Sequence, residues 1–207
     1  MSIDVTERVV RTIAETAIEN EKYFGDLDSV VGDGDFGYSL ARGFEKLLDG
    51  WDDLDRASSG AFLKRTGMVI ASRIGGTSGP LWGTAFIRAG TAALAGGDVI
   101  AMLRAAIDGI KARGQSDVGD KTLLDALVPF TDRLWSSLDA GAPAEEAIRA
   151  AATAAREAAD ATSDMVAKRG RAAYTGERSR GSVDAGAMAV AVIAERISET
   201  WKQGAAS

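Results

Sequence analysis

The sequence predicts an all-α fold, and three observations carry that prediction. Apolar residues recur mostly at helical spacing, no segment alternates convincingly with a period of two, and only three prolines interrupt a 207-residue chain rich in alanine. Val9, Ile13 and Ala17 mark one face of a first helix over 5–24. Leu40, Phe44, Leu47 and Leu48 do the same over 36–48, and Phe62, Leu63, Met68, Val69 and Ile70 over 59–74. Pro80 suits the first turn of a fourth helix over 80–95. Asp98 reads as the N-cap of a fifth that runs to Arg113. Further helices are expected over 122–138, over 142–165 with Pro143 near its start, and over 185–201. No linker or repeat divides them, so 1–207 reads as a single domain of about eight helices. The longest stretch between helices, 167–184, is rich in Gly, Arg and Ser, and long loops in compact domains are often lids or binding loops.

Composition removes several kinds of chemistry. The chain is 46% hydrophobic, enough for a sizeable core. It has no cysteine, which excludes disulfides, thiolate-bound zinc and thiol catalysis. It has no histidine, so the usual general base, metal ligand and phosphoryl carrier is missing. A net charge of −6 argues against nucleic acid as a partner. No run approaches the length of a membrane span and the N-terminus lacks a secretory pattern, so the expected compartment is the cytoplasm, with no membrane partner.

Four segments could carry chemistry. The first is Asp28-Ser29-Val30-Val31-Gly32-Asp33-Gly34-Asp35. Carboxylates packed this closely repel unless something positive sits among them, and a hard cation, above all magnesium with a phosphate, is the simplest remedy. The glycines let the backbone turn tightly enough to aim Asp28, Asp33 and Asp35 at one point. On the turn alone, a solvated Asp-Gly turn is the alternative. An EF-hand loop fails in both registers: counting from Asp33 puts Gly37 and Phe44 at positions five and twelve, and counting from Asp28 puts Asp33 at the invariant glycine.

The second segment, Gly75-Gly76-Thr77-Ser78-Gly79-Pro80-Leu81-Trp82-Gly83-Thr84, places small residues before a Pro-started helix. Free N–H groups and hydroxyls there form an anion site, or else an ordinary capped loop. It lacks the Gly-Lys-Ser/Thr ending of a Walker A loop. The third, Gly119-Asp120-Lys121-Thr122, could set a lysine near phosphate, with Asp120 as N-cap of the next helix. The fourth runs from Lys168-Arg169-Gly170-Arg171-Ala172-Ala173-Tyr174 through Gly176-Glu177-Arg178 to Asp184-Ala185-Gly186. Its guanidinium forks suit phosphate oxygens, whereas Lys168, Arg169 and Arg180 read as a solvated charge run. Together the four supply carboxylates for metal, backbone donors for phosphate and cations for a transferring group.

As an ordered set these motifs resemble the ADP-binding L subunits of dihydroxyacetone kinases and the nucleotide domain of single-chain, ATP-dependent ones, across essentially the whole chain. The resemblance implies an eight-helix antiparallel barrel or bundle with the nucleotide at one end. Asp28, Asp33 and Asp35 would bind two Mg2+ that bridge the phosphates of ADP or ATP. Gly76, Thr77 and Ser78 would contact phosphates, and Phe36, Gly37, Tyr38, Ser39, Gly119 and Leu123 would surround the nucleotide. Arg171, the implied catalytic residue, and Asp184, Ala185 and Gly186 would close over it.

Two positions depart from the family: Phe36 stands where histidine is usual, and Asp184-Ala185-Gly186 replaces Asp-Pro-Gly. The implied activity is phosphoryl transfer to dihydroxyacetone or a related short ketose held on a separate K-type subunit, in a homodimer or a heterotetramer with that subunit. A phosphohistidine-carrying phosphotransferase-system protein would recharge the nucleotide. The alternatives are an ATP-dependent two-subunit ketose kinase, for example for erythrulose, and a non-catalytic nucleotide-binding regulator.

Overall fold

The computed structural model describes residues 1–74 and 78–204, and the regular structure among the described residues is all helical, with no strand. Among the described residues, nine α-helices follow in order: α1 Ile3–Glu19, α2 Glu21–Asp28, α3 Phe36–Asp49, α4 Ser59–Arg73, α5 Ser78–Leu94, α6 Val99–Gly114, α7 Leu124–Asp139, α8 Ala144–Ala161 and α9 Ala185–Gly204. Short 3-10 segments cover Trp51–Asp53, Thr162–Asp164 and Arg171–Ser179. No helix among the described residues is long and apolar enough to cross a membrane.

The all-α expectation holds, with one helix more than the apolar periodicity predicts. The extra helix comes from a break at Asn20, inside the stretch read as one helix. Asn20 Nδ2 donates to the Thr16 carbonyl at 2.8 Å, and its own N–H shares that carbonyl. A short amide that bonds the local backbone competes with the helical ladder, and the chain restarts as α2. Ser58 and Asp98 act as N-caps, accepting from Ala61 N at 3.1 Å and Ala101 N at 2.8 Å. Asp120 does not cap α7, contrary to expectation. The residue before that helix is Leu123, and no side chain caps it.

The chain forms two compact units. The first comprises Met1–Glu21 and Tyr38–Ser116, the second Lys22–Gly37 and Asp117–Ser207. In the first unit, Leu40, Phe44, Leu47, Phe62 and Ile70 are fully buried. Phe44 meets the edges of Trp82 and Phe86, with ring centroids 6.3 and 6.5 Å apart. Trp51 packs against Phe62 at 5.4 Å and carries the Arg11 guanidinium over its face at 4.3 Å.

Helices α4 and α5 touch through glycines. A Cβ on Gly60 would lie 2.7 Å from the Gly90 carbonyl oxygen, and one on Gly67 would lie 2.6 Å from that of Gly83. The pairings run in opposite chain directions, so the two helices are antiparallel and close enough for backbone to meet backbone.

The second unit packs α7, α8 and α9. Ala147, Ala151, Ala155 and Ala159 recur every four residues on α8 and are fully buried. Small side chains allow α9, with buried Ala187, Ala189 and Ala191, to approach closely. Arg156 of α8 binds Glu195 of α9 through two parallel bonds of 2.8 and 2.6 Å. The Glu195 hydrogen bond is the main reason that the Arg156 pKa is raised, against the effect of burial.

The glycine contact gives the first prediction. Alanine gains about 1 kcal/mol over glycine in an open helix. At Gly67 the added methyl meets backbone and cannot be accommodated by a rotamer change, an overpacking cost of about 1–3 kcal/mol. Gly67→Ala should therefore lower the unfolding free energy, with a lower urea midpoint and an unchanged slope. A midpoint at or above that of the wild type would contradict the contact.

Candidate functional site

The acidic turn lies in the second unit, and its geometry follows from a few short bonds. Asp28 ends α2, and its carbonyl accepts from Val31 N at 3.2 Å and Gly32 N at 2.6 Å, which turns the chain back on itself. A Cβ at Gly32 would collide with the Asp28 carboxylate, whose Cγ would stand 2.9 Å away. Gly34 has φ +77°, in the left-handed region that suits glycine. Asp28 Oδ2 then accepts from Phe36 N at 3.4 Å, at the start of α3. As a result, one carboxylate oxygen from each of Asp28, Asp33 and Asp35 lies within 4.8 Å of the others. Asp33 and Asp35 are exposed and Asp28 is half-buried.

Three hard oxygen donors at this separation match a magnesium-type cation held by carboxylates. A positive group of the chain already sits there. The Arg171 guanidinium contacts Asp33 Oδ2 and lies 3.6 Å from Asp35 Oδ2. Phe36 packs its ring on the fully buried Phe24, with centroids 6.2 Å apart, and remains half-exposed. The Phe36 ring therefore anchors the turn to the core of its own unit.

Arg171 begins the 3-10 segment within the long loop, and this loop is well tied rather than loose. Ala167 N donates to Ser179 Oγ at 2.9 Å, Ser179 Oγ donates to the Gly176 carbonyl at 2.7 Å, and Gly181 N donates to the Ser163 carbonyl at 2.8 Å. The three residues read as a solvated charge run are partnered. Lys168 and Arg169 lie 3.5 and 3.3 Å from the Asp120 carboxylate, and Arg180 donates to the Asp164 carbonyl at 2.6 Å. The Asp117 N–H is the main cause holding the Asp120 carboxyl below its usual range; burial opposes it, and Arg169 and Lys168 assist.

Lys121 does not reach out as a phosphate ligand would. It is buried, with φ +61°, and its ammonium donates to the carbonyls of Met165 at 3.2 Å, Ser179 at 2.5 Å and Ser182 at 2.6 Å. Burial is the main cause that lowers its pKa, and Asp184 opposes the shift. Asp125, in the first turn of α7, holds the preceding turn instead. It is buried and accepts from Gly119 N at 2.6 Å and Thr122 N at 2.7 Å, organising the turn before α7. Asp125 sits three residues after Thr122, and that spacing was the available signal.

Asp184, Ala185, Gly186 and Leu123 come together. A Cβ on Gly186 would lie 3.1 Å from Asp184 Oδ2 and 3.4 Å from Leu123 N. Asp184 N donates to Thr162 Oγ1 at 2.8 Å, and Asp184 Oδ2 accepts from Ala187 N at 2.7 Å in the first turn of α9. The residue keeps some surface, but its carboxyl is desolvated and pushed up to about 7. The Ala187 N–H opposes this, Asp125 adds to it, and Lys121 opposes it.

The remaining expected site residues fall elsewhere. Tyr38, Ser39 and Ser78 belong to the first unit, with Tyr38 exposed beneath the Arg42 guanidinium at 5.3 Å and Ser78 opening α5. Gly76 and Thr77 lie outside the described residues.

Comparison with known proteins adds an independent line. The family model described as the DAK2 domain matches residues 30–199. The chain is 37% identical over 187 residues to the PEP-dependent dihydroxyacetone kinase, ADP-binding subunit DhaL, of Escherichia coli (strain K12), covering 88% of this chain and 89% of that protein. It is 38% identical over 198 residues to the L-erythrulose 1-kinase of Mycolicibacterium smegmatis, spanning 92% of this chain but 34% of that protein. The solved dihydroxyacetone kinase of C. freundii in its native form superposes with a TM-score of 0.79 at 25% identity, over 95% of this chain and 34% of that one. The same kinase in complex with AMP-PNP and Mg2+ gives 0.77 at 24% identity, a likeness of fold.

The Asp184 carboxyl gives a pH prediction with a definite sign. Its folded value, about 7, lies above the ordinary carboxyl value of 3.8. The folded state therefore holds more protons between those values, and stability falls as pH rises from about 4 to about 7. Asp184→Asn keeps the acceptor for Ala187 N and removes the titration. Relative to wild type, the variant should gain stability steadily across that window in urea unfolding at stepped pH. A difference that stays flat with pH would rule out the raised value.

Proposed function

This chain belongs to the DAK2-domain family, and on that premise we propose that it is the nucleotide-binding, phosphoryl-transfer subunit of a dihydroxyacetone-type kinase. In this reading all of 1–207 is one nucleotide-binding module that works in the cytoplasm and docks on a K-type subunit holding the ketose, in a homodimer or heterotetramer. The observation that carries it is the convergence of Asp28, Asp33 and Asp35 on one point, beside a guanidinium able to pair with phosphate. The carboxylates would hold two Mg2+ on the phosphates of ADP or ATP. Bound there, the metal would supply positive charge to offset that of the transferring phosphoryl group.

The chain's own residues do the rest by position. Arg171, released from Asp33 and Asp35, would turn its fork to the oxygens of the transferring group. Phe36, held on Phe24, would offer an apolar surface where a histidine would offer a hydrogen bond. Gly119, Leu123 and the Asp184–Gly186 turn would enclose the nucleotide, with Gly37, Tyr38, Ser39, Gly76, Thr77 and Ser78 supplying further contacts. The chain contains no histidine, so a group that captures a ketose covalently through histidine has to come from the partner.

The similarity to a PEP-dependent subunit over 89% of its length supports a resident ADP recharged by a phosphohistidine protein of the phosphotransferase system. A second reading is an ATP-dependent erythrulose-type kinase subunit, favoured by 38% identity to an L-erythrulose 1-kinase of which this chain spans about a third.

Calorimetry with MgADP and a coupled assay test the proposal. Losing a partner outside the first ligand shell costs a metal site up to about a hundredfold in affinity, so losing a direct ligand in Asp33→Ala should cost at least that. The chain alone should not turn over dihydroxyacetone, and turnover should appear when a K-type subunit is added. Turnover by the chain alone, or MgADP affinity unchanged in Asp33→Ala, would overturn the reading.

A further inference from the structure

A buried lysine without a directly bonded carboxylate calls for an explanation. An ammonium taken out of water is costly, and an apolar side chain of similar size would fill the same space at less cost. The three protons of Lys121 are all used, and all on backbone carbonyls. Those carbonyls belong to Met165 at one end of the long loop and to Ser179 and Ser182 at the other. Arg171 lies between the two ends, on the segment that reaches Asp33 and Asp35.

The neck is reinforced from the same turn of chain. Lys168 N donates to the Asp120 carbonyl at 3.1 Å, and the Asp120 carboxylate lies against Lys168 and Arg169. Asp125 holds the backbone on both sides of Lys121 by accepting from Gly119 N and Thr122 N, which supports its left-handed conformation. Residues 119–125 therefore form a small rigid base, and the lysine is its one long arm into the loop.

We propose that Lys121 is a positioning residue: its ammonium pins the two ends of the 165–182 loop together and so sets where Arg171 meets the acidic cluster. The carbonyl oxygens are fixed acceptors around a donor with three bonds, so the neck cannot open without stranding a buried charge. This rests on the reading that Arg171 and the cluster serve MgADP. The clamp itself rests on geometry alone, and the two can fail separately.

Two measurements on the full chain separate them. Trypsin nicking of the loop, mapped by mass spectrometry at Lys168, Arg169, Arg171, Arg178 and Arg180, reads the clamp without any ligand. Lys121→Met should be nicked about tenfold faster than wild type, the effect of roughly one net hydrogen bond of local stability. Lys121→Arg, which keeps charge and donors, should recover most of the protection. Unchanged nicking in a Lys121→Met chain with wild-type circular dichroism would overturn the clamp.

The second measurement is MgADP affinity in a double-mutant cycle with Arg171→Ala. Lys121→Met should weaken binding about tenfold alone and less than about twofold in the Arg171→Ala background, because it acts through that residue. Equal losses in both backgrounds would overturn the positioning role. A wild-type chain that binds no MgADP would overturn that role together with the functional reading, while nicking still decides the clamp. If Lys121→Met does not fold, the wild-type ammonium decides by NMR. A slowly exchanging Nζ signal coupled across hydrogen bonds to the carbonyls of 165, 179 and 182 supports the clamp, and a fast-exchanging, uncoupled one overturns it.

Discussion

Mutual repulsion among three carboxylates is the constraint around which the second unit is arranged. Asp28, Asp33 and Asp35 are brought to one point by a turn closed on the Asp28 carbonyl. Positive charge close by relieves that repulsion, and Arg171 supplies it. The pair is solvent-exposed, and exposed ion pairs are worth about 0–1 kcal/mol. A doubly charged cation with hard-oxygen preference competes easily with a contact that weak. On the proposed reading, a guanidinium held this lightly would be displaced and stay tethered beside the nucleotide phosphates.

The rest of the loop can be understood as the scaffold for that tether. Three of its cations are already paired, Lys168 and Arg169 with Asp120 and Arg180 with the Asp164 carbonyl. Arg171 is the residue of the segment whose partners are the acidic turn itself. An acidic protein can in this way carry a locally basic loop without offering a general anion surface. Most of the charge is spent on internal order, and one fork is directed at the site.

Helices were legible in the sequence because burial imposes a period that composition cannot hide, as at Leu40, Phe44 and Leu47. The break at Asn20 was not, because it depends on one side chain competing with the backbone inside an otherwise continuous apolar stripe. The acidic turn was visible because residue type and spacing alone define it. Lys121 was misjudged for the opposite reason: a lysine in a Gly-Asp-Lys-Thr turn suggests an outward reach, and only the path of the chain forty to sixty residues later brings three carbonyls to its ammonium. Asp120 was misread because two acidic residues flank the start of the same helix, and which of them holds the preceding turn is decided by three-dimensional hydrogen-bond geometry.

The two glycines of the acidic turn are needed for different reasons, and this affects which sequences can share the site. Gly34 is required for its left-handed backbone, a conformation that asparagine also tolerates. Gly32 is not left-handed; it is required because the Asp28 carboxylate occupies the space where a side chain would begin. A Cβ at 34 presses on Ser29 Cβ at 3.3 Å and meets no carboxylate, whereas any residue with a Cβ at 32 has to move a carboxylate first. A relative that keeps all three aspartates but has lost the glycine at 32 would retain the letters of the motif without its geometry.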